Sequence, residues 1–249
     1  MPEHDAEADV KEVLIEEDEH VHYSQRSPWL RAFVLGALDG LVSVACTILG
    51  VSGGNSSLAL MRLAGISAWI ACAMAMAAGE YISVSSQKDC EEADIQKERE
   101  IQAQGPEARA HELEELACIY ENRGLDPILA RKVAEELTAH DVILAHARDE
   151  LGIDMDDMSD PYQAALVSAI ACTLGAAIPL LAGAFVTDDN TRIGAVVGAT
   201  AAGCALFGVT ASALGGAGIV KGCLRVLIGG SLSMGITYGI GRAFGTTIN

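Results

Sequence analysis

The sequence predicts an all-α membrane protein: five transmembrane helices, with a three-helix cytoplasmic insert between helices 2 and 3. The chain is 51% hydrophobic over 249 residues, yet its net charge is −18. Both values hold together because charge and hydrophobicity are segregated along the chain. Nine acids and one lysine fall within residues 1–25, and most remaining charges fall within 88–160. The apolar stretches between and after them are rich in Gly, Ala and Ser, small residues that allow close helix contact in lipid.

Residues 1–25 are acidic and poor in apolar groups, so they read as a disordered cytosolic tail and not as a cleavable signal. His4, His20 and His22 lie among its acids and offer loose metal ligands. Residues 26–87 hold the first two spans, placed at 30–52 and 60–86, each long enough for a hydrocarbon core that needs about 20 helical residues. Ser27-Pro28 supplies an N-cap and a proline for the first turn. Residues 161–249 hold the other three, at 163–187, 192–214 and 222–245, the first of them opened by Asp160-Pro161. Pro179 is tolerable where neighbouring helices satisfy the backbone. Arg225, near the start of the last span, has to snorkel or pair.

The insert, residues 88–160, is punctuated by Gly105-Pro106 and by Gly124-Leu125-Asp126-Pro127. Three helices follow, and the first continues from the second span because no breaker lies between Glu80 and Gln104. Leu113, Leu116 and Tyr120 form one apolar stripe; Leu129, Val133, Leu137, His140 and Leu144 form another. Lys and Arg near the span ends favour a cytoplasmic N-terminus and insert, with the C-terminus outside. The seven cysteines are scattered without a Cys-x-x-Cys pair, which argues against a disulfide framework or a cysteine-built zinc site; those in the spans read as small buried hydrophobes. An acidic chain of this kind is not expected to bind nucleic acid.

Two carboxylates fall inside apolar spans, Asp39 in the first and Glu80 in the second. An acid at a helix centre costs about 2.5–3.5 kcal/mol to insert, so the pair points to an ion pathway. Met76 is four residues before Glu80, Ser83 three after it, and Ser43 four after Asp39, so each shares a helical face with its acid. Oxygen and thioether donors together suit a borderline transition ion better than Mg²⁺ or Ca²⁺. Met74 reads as packing. In the insert, Glu91, Asp94 and Glu98 share a face, Glu112 and Glu115 are three apart, and His146 precedes Glu150 by four. Mutual repulsion opposes packing of these helices unless a cation bridges them, and the donor set suits Fe²⁺, Mn²⁺ or Zn²⁺.

Asp39-Gly40-Leu41-Val42-Ser43, Met76-Ala-Ala-Gly79-Glu80-Tyr81-Ile-Ser83-Val-Ser85-Ser86-Gln87 and the acidic insert resemble the vacuolar iron transporter family. The resemblance runs from about residue 28 to 245. It implies five membrane helices, a homodimer, and a cytoplasmic metal-binding domain between helices 2 and 3. It further implies export of Fe²⁺, often also Mn²⁺, from the cytosol, in some members by proton exchange. On it, Asp39 and Met76 match metal-path residues, with Glu80 in the adjoining motif; Glu98, Glu112, Glu115 and Glu150 match metal-binding glutamates. The chain departs from the pattern at Ile101, where the family has a glutamate and where Glu100 or Asp94 stands nearby. It departs again at His146-Ala147, where some relatives carry two methionines.

The sequence therefore supports a homodimeric exporter of Fe²⁺ and Mn²⁺, with Gly36 and Gly40 as a close-contact pair for the dimer axis. Burial favours the neutral form of a carboxyl, so exchange of metal for protons is expected at the buried acids. The alternative is a membrane-anchored metal-binding or sensing protein that moves nothing. An enzyme is not expected: the insert and spans lack the Glu-x-x-His pairs of di-iron bundles. The brevity of the chain suggests a plasma or inner membrane, with a vacuolar-type membrane left open.

Overall fold

The computed structural model describes residues 28–54, 57–155 and 158–248. The acidic tail, with its three histidines and Ser27, lies outside the described residues. Within them the chain forms seven helices and no strand: α1 (Pro28–Gly53), α2 (Leu58–Ala103), α3 (Pro106–Asn122), α4 (Pro127–Asp149), α5 (Pro161–Ala184), α6 (Asp189–Leu214) and α7 (Ile219–Ile248). Five of them, α1, α2, α5, α6 and α7, are long and apolar enough to cross a membrane.

Local chemistry fixes the helix starts. Ser57 Oγ accepts from Leu60 N (3.3 Å), Asp126 Oδ1 from Ile128 N (3.0 Å), Asp160 Oδ1 from Tyr162 N (2.9 Å) and Asp188 Oδ2 from Thr191 N (2.8 Å). The cap at Asp188 starts α6 at Asp189, three residues before the position expected from the apolar run. Likewise α5 stops at Ala184, where Arg62 Nε donates to the terminal carbonyl (2.6 Å).

α1 is the axis of the bundle, packed against α2, α5, α6 and α7. Val44, Ala45, Ile48 and Leu49 of α1 meet Met61, Ala176, Val196 and Met234 in one core. Leucines and isoleucines such as Leu63, Ile70, Leu166, Leu174, Leu206 and Leu232 stay exposed around this core, as a lipid-facing rim requires. Arg192 is 1% exposed and is paired with Asp189. Arg225 is exposed and shares with Lys221 the lining of a cavity of about 310 Å³ between α1, α6 and α7.

Gly36 and Gly40 are used inside the chain. A Cβ on Gly36 would lie 2.6 Å from the Ser168 carbonyl, and one on Gly40 would lie 2.1 Å from that of Cys172. The small-residue face thus lets α1 press against α5, and it is not free for a dimer axis, contrary to the expectation from spacing. Met74 also differs from expectation: its side chain is 67% exposed rather than packed.

α2 runs unbroken for 46 residues, from the second span into the polar insert. α3 and α4 pack on each other around Leu116, Ala117, Tyr120, Ala130, Ala134 and Ala145. The α3 stripe is the expected one, but the α4 stripe is not: Leu129 and Leu137 are exposed and alanines face inward. A close helix approach favours the smaller side chain. The backbone of α4 also breaks at Asp141 (φ −157°, ψ 106°), whose Oδ1 accepts from Leu144 N at 3.0 Å and so caps a second helical segment. That break turns Ala145, His146 and Ala147 inward.

Candidate metal centre and membrane pathway

The acidic centre is built from three helices. α2 supplies Glu98, α3 supplies Glu112, and the second segment of α4 supplies His146, with Glu150 at its C-cap. One ligand atom from each lies within 4.8 Å of the others. Glu98 is 5% exposed, Glu112 7% and His146 0%, while Glu150 faces solvent. His146 Nδ1 points at the acids, 2.8 Å from Glu150 Oε2 and 3.8 Å from Glu98 Oε1. Its Nε2 is buried without a hydrogen-bond partner. Gln102 Nε2 donates to Glu98 Oε1 (2.9 Å) and orients that carboxylate.

Burial pushes the Glu112 carboxyl above its ordinary range. The charges of Glu98, Glu115 and Glu150 push the same way, against His146. A divalent cation among these groups would relieve that repulsion. Three carboxylates and an imidazole are a donor set that Fe²⁺, Mn²⁺ and Zn²⁺ accept.

The other expected ligands are placed differently. Glu115 joins Glu112 and His111 in an adjoining group whose ligand atoms also lie within 4.8 Å, with His111 and Glu115 exposed. Sequence reasoning had passed over His111 as a ligand. Glu91 is half-buried and accepts from Gln87 Nε2 (2.8 Å), and Asp94 is exposed; neither belongs to the two groups.

At the end of the insert, Asp149 accepts from Tyr120 Oη (2.7 Å) and pairs with Arg123. Burial raises the Asp149 carboxyl, but the hydrogen bonds from Tyr120 and Arg123 and the charges of Arg123 and Arg148 outweigh it, so the group sits below its ordinary range. Burial, with the Asp149 contact, pushes the Tyr120 phenol up to about 12.

Within the spans, Ser43 Oγ donates to Asp39 Oδ1 (2.8 Å). Glu80 is 8% exposed and Met76 is half-buried, one turn away on α2. Cys72, one further turn back on that face, donates its S–H to Asp39 Oδ2 (3.2 Å). Sequence reasoning read this cysteine as bland packing; its four-residue spacing from Met76 was the available signal.

A family model described as the VIT family matches residues 30–242. A vacuolar iron transporter of Acanthamoeba castellanii is 42% identical over 228 residues, 91% of this chain and 83% of that protein. Vacuolar iron transporter homolog 3 of Arabidopsis thaliana is 37% identical over 224 residues, covering 90% of this chain and 87% of its own length. Vacuolar iron transporter homolog 1 of Oryza sativa subsp. japonica is 36% identical over 225 residues, 90% and 78%.

Proposed function

The chain belongs to the VIT family, and on that premise we propose that it exports Fe²⁺, with Mn²⁺ as a second cargo, from the cytosol in exchange for protons. Metal-ion transport by a multi-pass membrane protein is the common ground of its relatives. The finer reading rests on one observation above all: α2 carries both Glu80, inside a span, and Glu98, inside the acidic centre, on one unbroken helix. The 18 residues between them correspond to about 27 Å of helix.

In this reading the insert and N-terminus are cytosolic. The acidic insert raises the local cation concentration, and Glu98, Glu112, His146 and Glu150 collect the ion. Release toward Ser83, Glu80, Met76 and Asp39 moves it into the span. Each carboxylate exchanges a proton for the arriving ion, which couples flux to the pH gradient. The working unit is a homodimer. Because Gly36 and Gly40 are committed to α5, the dimer contact uses another surface, and α2 leaves Leu63, Ile66, Ile70 and Met74 uncovered.

Vesicles that contain the purified protein, loaded with a pH dye, test the reading. Mn²⁺ uptake accompanied by a luminal pH change of matching time course is expected. Flux indifferent to an imposed pH gradient removes the exchange, and binding without flux removes the transport.

A further inference from the structure

One end of the bundle gathers cations that no acid answers. Lys221 and Arg225 of α7 are four residues apart, exposed, and without an ion pair among the described residues. Both line the cavity of about 310 Å³ whose other walls include Val34 and Leu38 of α1 and Ser212 of α6, and no carboxylate belongs to that lining. Arg31 of α1 is also exposed and unpaired among the described residues. It is three before Val34 and seven before Leu38, on the helical face of both. In a chain of net charge −18, such a gathering of cations needs a local reason.

Small residues shape the cavity. A Cβ on Gly222 would lie 1.7 Å from Ser212 Oγ, and one on Gly208 would lie 2.9 Å from Cys223 Cα, so the start of α7 presses on the end of α6. The first bond of α7 runs from Gly222 N to Gly218 O (3.1 Å). The N–H groups of residues 219–221 therefore have no carbonyl of their own helix and add partial positive charge. The cavity lies at the end of the bundle from which α2 leaves for the insert. There Tyr81 of α2 meets Tyr162 at the start of α5 (ring centroids 5.2 Å), and Gly36 of α1 presses on Ser168, six residues further along α5. Beyond Arg225 the same face of α7 continues as exposed Ile228 and Leu232, with exposed Leu224 beside it.

We propose that this cavity binds the phosphate group of an anionic phospholipid, held by Lys221 and Arg225 with Arg31 at the mouth. A basic pocket between membrane helices is a setting in which a lipid phosphate is recognised. Arg225 presents a planar fork to two phosphate oxygens, and Lys221 adds a point charge. The acyl chains run along Leu224, Ile228 and Leu232. A free phosphate ion gains nothing from that apolar track, so the lipid is the favoured source. Phosphatidylcholine carries the same phosphate, but its choline cation meets like charges here. The site goes beyond the transport reading and uses none of its residues.

The test is native mass spectrometry of the purified, delipidated full chain titrated with phosphatidylglycerol, phosphatidylcholine or inorganic phosphate. Saturable binding of phosphatidylglycerol is expected, at least about tenfold tighter than phosphatidylcholine and not displaced by millimolar inorganic phosphate. Lys221→Gln combined with Arg225→Gln should weaken it at least about tenfold. Lys88→Gln combined with Lys132→Gln, the same change of charge at residues paired with Glu92 and Glu136, should leave it within about twofold. Equal affinity for the two lipids, or phosphatidylglycerol binding unchanged by the first pair of substitutions, overturns the site. Displacement by inorganic phosphate overturns the lipid as its ligand. Should that variant misfold, a phosphatidylglycerol with a photoreactive headgroup is cross-linked to the natural protein and its adducts are mapped by peptide mass spectrometry. Adducts concentrated in residues 31–38 and 208–226 support the site, and adducts spread over all the spans overturn it.

Discussion

At the scale of single residues, the acidic centre is an arrangement that metal should stabilise. Glu112 is buried beside Glu98 and close to Glu115 and Glu150, and its carboxyl is raised by burial first and by the repulsion of these acids second. Glu112→Gln should therefore raise the melting temperature of the metal-free protein and shrink the increase that Mn²⁺ produces. Differential scanning fluorimetry of the full chain checks both. His146 is fully buried with its Nδ1 turned to Glu98 and Glu150. His146→Ala should weaken metal binding by the insert about 10–100-fold, read by calorimetric titration. The acids were legible as residues because buried carboxylates stand out in an apolar or packed setting. Cys72 was not, because it lies 33 positions from Asp39 and only helix packing joins the two.

The long apolar runs made every span visible at the scale of elements, and Asp126, Asp160 and the prolines after them marked helix starts. What pattern reading could not supply was the break at Asp141, since neither Gly nor Pro announces it and Asp is tolerated within helices. Its consequence is large: the break brings His146 to the acids and places alanines, not leucines, against α3. The crossing of α1 and α5 is a second feature set by packing. A Cβ on Gly40 or Gly175 would lie 2.1 or 2.0 Å from an opposing carbonyl. Gly40→Ala or Gly175→Ala should cost about 1–3 kcal/mol. Gly198→Ala, with open space around it, should stay within about 0.5 kcal/mol. Denaturant unfolding in detergent compares them.

The junction of α3 and α4 responds to pH with a definite sign. The Asp149 carboxyl is lower in the folded state than in an unfolded chain, where it is about 3.9. It therefore contributes stability above that unfolded value, and this is lost as pH falls through the folded one. The Tyr120 phenol, pushed up to about 12, contributes stability below its unfolded value near about 10, lost as pH rises through about 12. Tyr120→Phe should cost about 0.5–1.5 kcal/mol at neutral pH and move acid unfolding to higher pH, followed by circular dichroism.

The whole molecule carries an acidic centre and an acid within an apolar span on one helix, α2, and the proposed reading makes the first a cation collector for the second. Net charge of −18 favours cations at long range, so capture should slow as ionic strength rises. A sensor needs the acidic centre but has no use for carboxylates inside its spans. The most direct measurement is uptake of Fe²⁺ and Mn²⁺ into proteoliposomes by the natural protein, Asp39→Ala and Glu80→Ala, with folding and oligomeric state verified for each. The account predicts uptake by the natural protein and a loss of at least about tenfold in both variants. Undiminished uptake in the variants, or metal binding without uptake by the natural protein under gradients of either sign, would contradict it.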